Sequence, residues 1–326
     1  MMNFWVVGLV LSVLSMASVA QSQPSSGTAV DPIVLLQRVA DSAISLNYSG
    51  VFVYRNGDIE ETSRITRARL NGRDVERIEV IEGSAREIIR SGTEVKCFLP
   101  AQNRLVVEQR STASGLPVLS PAVLDDLQQH YVVRTGGLGR VAGNICQRLI
   151  LEPRDALRYA HHLWVEPTTG LLLKTGTVNQ QGRVLESFTF TQVTFGSQVS
   201  RQQLVPSAEL QSGNVHRIHS SEVRASDLKW GIENLPPGFR IQKMMVRRLT
   251  PPPSSHDVVH IVISDGLAAV SVFIEPEGDS KSNKVDQQSG AMSMYSRQIG
   301  EFRALVMGEV PLVTARLIAD SIERRR

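Results

Sequence analysis

Between residues 48 and 110 apolar and polar side chains alternate, and the alternation is broken at short intervals by residue pairs that accept a positive φ. The breaks are Asn56-Gly57, Asn71-Gly72 and Ser91-Gly92, followed by Pro100-Ala101-Gln102-Asn103. A tight hairpin of the primed type needs φ above zero at both central residues, which Asn-Gly tolerates better than almost any other pair. Period-two alternation puts successive side chains on opposite faces of a strand. The stretches VFVYRNG, ITRARLNGRDVERIEVI, REIIRSGTEVKCFLP and RLVVEQR therefore read as successive antiparallel strands.

Helical signals frame this meander. Asp31-Pro32 supplies an N-cap acid and a proline at the first helical position, with Ile33, Leu36, Ala40 and Ile44 at helical spacing. A second capped helix starts at Ser120-Pro121, and strands resume with RVAGNICQRLILEP and the run from His161 to Gly196. From residue 206 the pattern lapses into PSAELQSGN, which predicts a linker over 206–221 between a domain at 31–205 and a smaller one at 222–326. In the latter, VVHIVIS-DG-LAAVSVFIE predicts a hairpin around Asp265-Gly266, MSMYSRQIG and FRALVMG two more strands, and Pro311 a closing helix carrying Leu312, Ala315, Ala319 and Ile322 on one face. DSKSNKVDQQSG and the prolines at 251–253 read as loops. A chain of 326 residues with 42% hydrophobic content has enough apolar material for two such cores. Residues 1–20 hold an apolar run shorter than the roughly 20 residues of a membrane span and end in small residues, as a secretory signal peptide cut near Ala20 does. Residues 21–30 read as a disordered leader.

Catalytic readings fail one at a time. His161 and His162 are adjacent, so on a strand they diverge. His256 and His260 share a face only about 13 Å apart, too far for joint metal coordination. His216 and His219 would pair on a helix, but GNVHRIHSSE is not helical. Lys174-Thr175-Gly176 and Ser226-x-x-Lys229 mimic motifs of penicillin-recognising enzymes in the wrong order. Gly137-x-Gly139-x-x-x-Gly143 misses the dinucleotide spacing and leads into a strand. No catalytic residue, metal or cofactor is expected. The net charge of +3 is too mild to imply a nucleic acid. In an exported chain the two cysteines, Cys97 and Cys146, invite one disulfide. It would close a loop of about 50 residues and stabilise by roughly 4 kcal/mol.

The stretch 161–196 carries Trp164, Leu171, Leu173, Phe188 and Phe190 on strands that are apolar on both faces. Such strands are covered on both sides, and the patterning leaves open whether one face lines a cavity or packs as a two-layer core.

LWVEPTTGLLLKTGTVNQQGRVLESFTFTQVTF resembles the hairpins of the periplasmic lipoprotein-carrier fold. NYSGVFVYRNGD and GRVAGNICQRLILEPRDALRYAHHLW resemble one branch more closely, the RseB/MucB family of periplasmic regulators of the envelope-stress sigma factor. WGIENLPPGFR and the VFIEP strand extend that likeness into a second domain, which simple carriers lack. The resemblance implies an α+β chain: an antiparallel half-barrel with helices in its concave side, then a smaller α/β domain on an antiparallel sheet. It further implies a periplasmic negative regulator that binds the periplasmic segment of a single-pass anti-sigma factor, shields it from proteolysis and is released by a lipid or lipopolysaccharide-like ligand. A lipid or lipoprotein carrier is the alternative, and a homo-oligomer is compatible with both. Facing and composition then select Phe52, Tyr54, Trp164, Leu171, Leu173, Phe188 and Phe190 for the lipid site. Trp230, Phe239, Arg240 and Phe273 are selected for the partner surface, because aromatics and arginine dominate hot spots.

Overall fold

The structure is a computed structural model, and it describes residues 31–109, 121–196, 199–205, 214–248, 257–277 and 284–325. The expected signal peptide and leader lie outside the described residues.

Helix α1 (Pro32–Ser45) starts where the sequence placed it, with the Asp31 carboxylate accepting the Ile33 N–H at 2.8 Å. Six strands follow as a meander: β1 (Tyr48–Asn56), β2 (Ile59–Leu70), β3 (Arg73–Glu82), β4 (Glu87–Ser91), β5 (Glu94–Leu99) and β6 (Arg104–Gln109). Asn71 and Gly72 both adopt positive φ, as the hairpin requires. Helix α2 (Pro121–His130) leads into β7 (Tyr131–Val141), β8 (Asn144–Pro153), β9 (Ala160–Val165), β10 (Leu172–Val178) and β11 (Val184–Phe195). Because β11 returns to pair with β1, the eleven strands form one open antiparallel sheet running β7-β8-β9-β10-β11-β1-β2-β3-β4-β5-β6. The sheet curls enough to bring β7 against β11, four places away in that order. Helices α1 and α2 pack Leu35, Leu36, Val39, Leu124 and Leu127 onto Leu149, Leu151, Leu163 and Val165. Leu149, Leu163, Thr175 and Phe188 stand opposite one another across four strands, so the helices share the inner face with the phenylalanines. This is the half-barrel with helices in its concave side.

The second domain is built on β14 (Arg240–Arg248), β15 (Asp257–Ser264), β16 (Ala269–Pro276), β19 (Phe302–Gly308), β18 (Met292–Ile299) and β17 (Asp286–Ser289), paired antiparallel in that spatial order. Helix α3 (Leu312–Asp320) lays Ala315, Ile318 and Ala319 on Ile261, Ile263, Val270, Val272 and Val306. Two details differ from expectation. Ile322 leaves the helix for the short strand β20 (Ile322–Arg324), which pairs with β13 (Trp230–Ile232), and Asp286–Ser289 is strand rather than loop.

The largest difference lies in the expected linker. Residues 206–213 are outside the described set, but Val215–Glu222 form strand β12. Val215–Ile218 pair parallel with Leu105–Glu108 of β6, and His219–Glu222 pair antiparallel with Met245–Arg248 of β14. One strand thus joins both sheets into a single hydrogen-bonded ladder. Its polar composition hid it from a reading based on apolar alternation.

Candidate functional site

Five of the residues selected for the lipid site converge on the inner face with a sixth at their edge. Tyr54 stands opposite Phe188 and Phe52 opposite Phe190, with Leu171 and Leu173 buried beside them. The rings fill one another: Phe52 and Phe188 lie 4.5 Å apart between centroids, Phe188 and Phe190 meet edge to face at 5.0 Å, and Tyr48 closes on Phe190 at 6.1 Å. Gly50 makes room for this, since a Cβ there would lie 2.7 Å from the Phe190 ring. Cys146 is buried in the same cluster, where desolvation pushes its thiol up to about 11. No disulfide joins it to Cys97, which stands in register with Ile88 and Val106 on β5. The expected bridge is therefore corrected, because the two strands that carry the thiols are held at opposite ends of the sheet order.

Trp164 is the second correction. It pairs with Lys174, one residue out of step with Thr175 and Phe188, so its side chain is on the outer face, touching the cluster only at its margin. A bulge between Leu172 and Lys174 shifts the register there, which no period-two reading of the sequence anticipates.

The residues selected for the partner surface separate likewise. Trp230 and Phe239 are core: Trp230 packs edge to face on Phe302 at 5.1 Å, and both are buried with Ile318 and Ile322. Their size drew them inside, so neither is a surface anchor here. Arg240 binds Asp126 of α2 and ties the second domain to the first. Phe273 lies on the sheet face opposite α3, stacked on His260 at 4.3 Å. That face continues through the cross-strand rows Met245–His260–Phe273–Leu305 and Val262–Ser271–Met307–Met294.

Sequence reasoning missed the junction between the domains. Asp265, read as a hairpin residue, is buried with both oxygens engaged. Oδ1 accepts the N–H groups of Leu267 and Ala268 at 3.0 and 2.8 Å. Oδ2 accepts from the Tyr131 hydroxyl at 2.9 Å and from Arg158 at 2.8 Å, both in the first domain. Arg158 is fully buried, with its guanidinium 5.0 Å from the Phe239 ring, a further bond to Asp155 and another to the Pro237 carbonyl. Leu267 packs against the helix-covered core, and Thr314 of α3 donates to the Leu157 carbonyl at 2.7 Å. Asn56 is not in the left-handed region, and its side chain accepts the Ala291 N–H from across the junction at 3.1 Å. Nearby, burial and the charge of Glu309 raise the Glu186 carboxyl to about 7. Only the location of Arg158 in the polar loop EPRDALRYA hinted at any of this. Among the described residues no three His, Cys, Asp or Glu side chains gather as metal ligands.

Comparison with known proteins adds the relationships. A family model described as the MucB/RseB N-terminal domain matches residues 31–208, and one described as the MucB/RseB C-terminal domain matches residues 224–323. The sigma factor AlgU regulatory protein MucB of Pseudomonas aeruginosa is 32% identical over 303 residues, covering 90% of this chain and 91% of that protein. The sigma-E factor regulatory protein RseB of Escherichia coli K12 is 24% identical, covering 99% of this chain and 98% of that protein. The solved complex of Pseudomonas aeruginosa MucA and MucB superposes with a TM-score of 0.72 at 29% identity, covering 91% of this chain and 99% of that one.

Proposed function

The chain belongs to the MucB/RseB family, and from that premise we propose that it is a periplasmic regulator that binds the periplasmic segment of a single-pass anti-sigma factor. Binding shields that segment from proteolysis, and a lipid or lipopolysaccharide-like ligand in the half-barrel releases it. The observation that carries the reading is the match of both domains, in order, to a family whose relative MucB was solved in complex with periplasmic MucA. The firmly docked second domain favours regulation over simple carriage, since a carrier needs only the half-barrel. Occlusion of an extended segment requires surface and no reacting group.

The sheet face of the second domain that carries Phe273, Leu305, Met294 and Met307 supports a partner surface there. It lies opposite α3, and methionine adapts to irregular apolar partners. The inner-face cluster of Phe52, Tyr54, Phe188 and Phe190 supports an acyl ligand that enters by parting ring contacts. A pull-down with the partner's periplasmic segment, coupled to a protease-protection assay, tests the first part. Absence of both binding and protection refutes it. Native mass spectrometry tests the second: lipid adducts are lost when Phe188 and Phe190 are replaced by Asp in a folded protein, and unchanged occupancy refutes that site.

A further inference from the structure

On the outer face of the half-barrel, Arg148, Trp164 and Lys174 stand in register on β8, β9 and β10. The Arg148 guanidinium lies 5.1 Å and the Lys174 ammonium 4.7 Å from the centre of the Trp164 ring. The next row holds His162, Gly176 and Ser187. Gly176 leaves the floor open, for a Cβ there would approach nothing closer than 3.9 Å. The result is a depression of about 360 Å³ lined by His162, Trp164, Lys174, Gly176, Ser187 and Thr189, among others.

Lys174, His162, Ser187 and Thr189 supply donors to the lining, and Arg148 stands behind it. Arg148 Nη2 is 2.9 Å from His162 Nδ1, and a guanidinium only donates, so the imidazole accepts there and carries its proton on Nε2. Burial, then the charge of Arg148, lowers the His162 pKa and keeps the ring neutral. Among the described residues Arg148 Nε is buried with no hydrogen-bond partner. Among the described residues neither Arg148 nor Lys174 pairs with a carboxylate, whereas Arg134 is held by Glu152 and Arg55, on the rim, by Glu60. Glu186 also borders the depression, but it is out of step with Ser187 and sends its carboxyl to the inner face with Tyr54. Lys174 and the donors of His162, Ser187 and Thr189 therefore face the depression, while Arg148 backs it through His162 and the Trp164 ring.

We propose that this depression binds a phosphate-type oxyanion, with Lys174 supplying the charge, His162, Ser187 and Thr189 the further donors, and Arg148 holding His162 in place from behind. The site is separate from the inner-face cluster and from the second domain, so it goes beyond the regulatory reading and stands or falls independently of it. A free anion and a phosphate headgroup share this chemistry, and the test separates them. The full chain is titrated calorimetrically with inorganic phosphate against chloride at equal ionic strength. In a second arm it is sedimented with phosphatidylcholine vesicles with or without phosphatidic acid.

Phosphate binds in preference to chloride; Lys174→Ala weakens it roughly tenfold or more, as the loss of a charge-assisted hydrogen bond predicts, and Arg148→Ala weakens it by less, through the released His162. Lys174→Arg retains binding, Gly176→Val blocks it by filling the floor, and Arg134→Ala leaves it unchanged. Losses confined to the soluble arm assign a free anion, and losses confined to the vesicle arm or seen in both assign a headgroup. The proposal is overturned if phosphate binds no better than chloride and phosphatidic acid adds nothing. It is equally overturned if Lys174→Ala and Arg148→Ala, folded by circular dichroism, bind as the parent does.

Discussion

Replacing Asp265 by Ala removes the centre of the domain junction, and its cost can be worked from the contacts. The carboxylate receives two backbone N–H groups of its own turn, the Tyr131 hydroxyl and the Arg158 guanidinium. Deleting one member of a buried ion pair costs about 3–5 kcal/mol, because the other charge is left in a medium that solvates it poorly. Arg158 keeps Asp155 and the Pro237 carbonyl, which favours the lower half of that range. The turn and tyrosine bonds add about 1 kcal/mol each when lost singly, and less together. The expected loss is about 4 kcal/mol. Trp230 in the second-domain core gives the readout in a Trp164→Phe background, by urea unfolding followed in fluorescence. Arg158→Met combined with Asp265→Ala should cost less than Asp265→Ala alone, since no orphan charge remains. A loss below about 1 kcal/mol, or a double variant no better than the single, refutes the assignment of Arg158–Asp265 as the joint.

Gly290 has φ +56°, and a Cβ there would sit 1.8 Å from Asn56 Oδ1, so Gly290→Ala should cost at least about 2 kcal/mol in the same assay. Phe190 is 1% exposed and meets three other rings, so Phe190→Ala should cost about 3–5 kcal/mol by thermal or urea unfolding. The Glu186 carboxyl is raised by burial and by Glu309, so the folded state holds its proton more tightly than the unfolded chain does. Its contribution is complete below the ordinary value of 4.5 and is lost as pH rises through about 7. Glu186→Gln should therefore lose less stability than the parent between pH 5 and pH 8, by about 1–3 kcal/mol, measured as unfolding free energy at each pH.

The antiparallel meander was legible because Asn71-Gly72 is a backbone constraint written in two letters, and period-two alternation fixed which phenylalanines share a face. Trp164 was misplaced because a bulge at Leu172 to Lys174 adds one residue, and one residue exchanges the faces. Trp230 and Phe239 were misread because size and aromaticity suit a core as well as a contact surface. Asp265 carried a correct turn signal, and Asn56, read as a turn residue, ends β1 one place before the turn; in both the same polar side chain reaches the other domain, and no local pattern encodes a partner more than 100 residues away. Strand β12 escaped notice for a related reason, being held by backbone pairing along both of its halves more than by an apolar face.

That strand also decides how the two halves can move. A flexible tether would let the domains swing about a point, each keeping its own hydrogen bonds. Here any swing must first strip backbone pairs from β6 or from β14, so rotation is resisted while small changes of sheet twist pass through β12 at little cost. The backbone pairs run without a break from β6 through β12 to Met245 on β14 and on through His260 to Phe273, so a change of curl in the half-barrel would be felt there as torsion along a common ladder. The two halves thus form one warped surface, with β12 as the seam that keeps it whole.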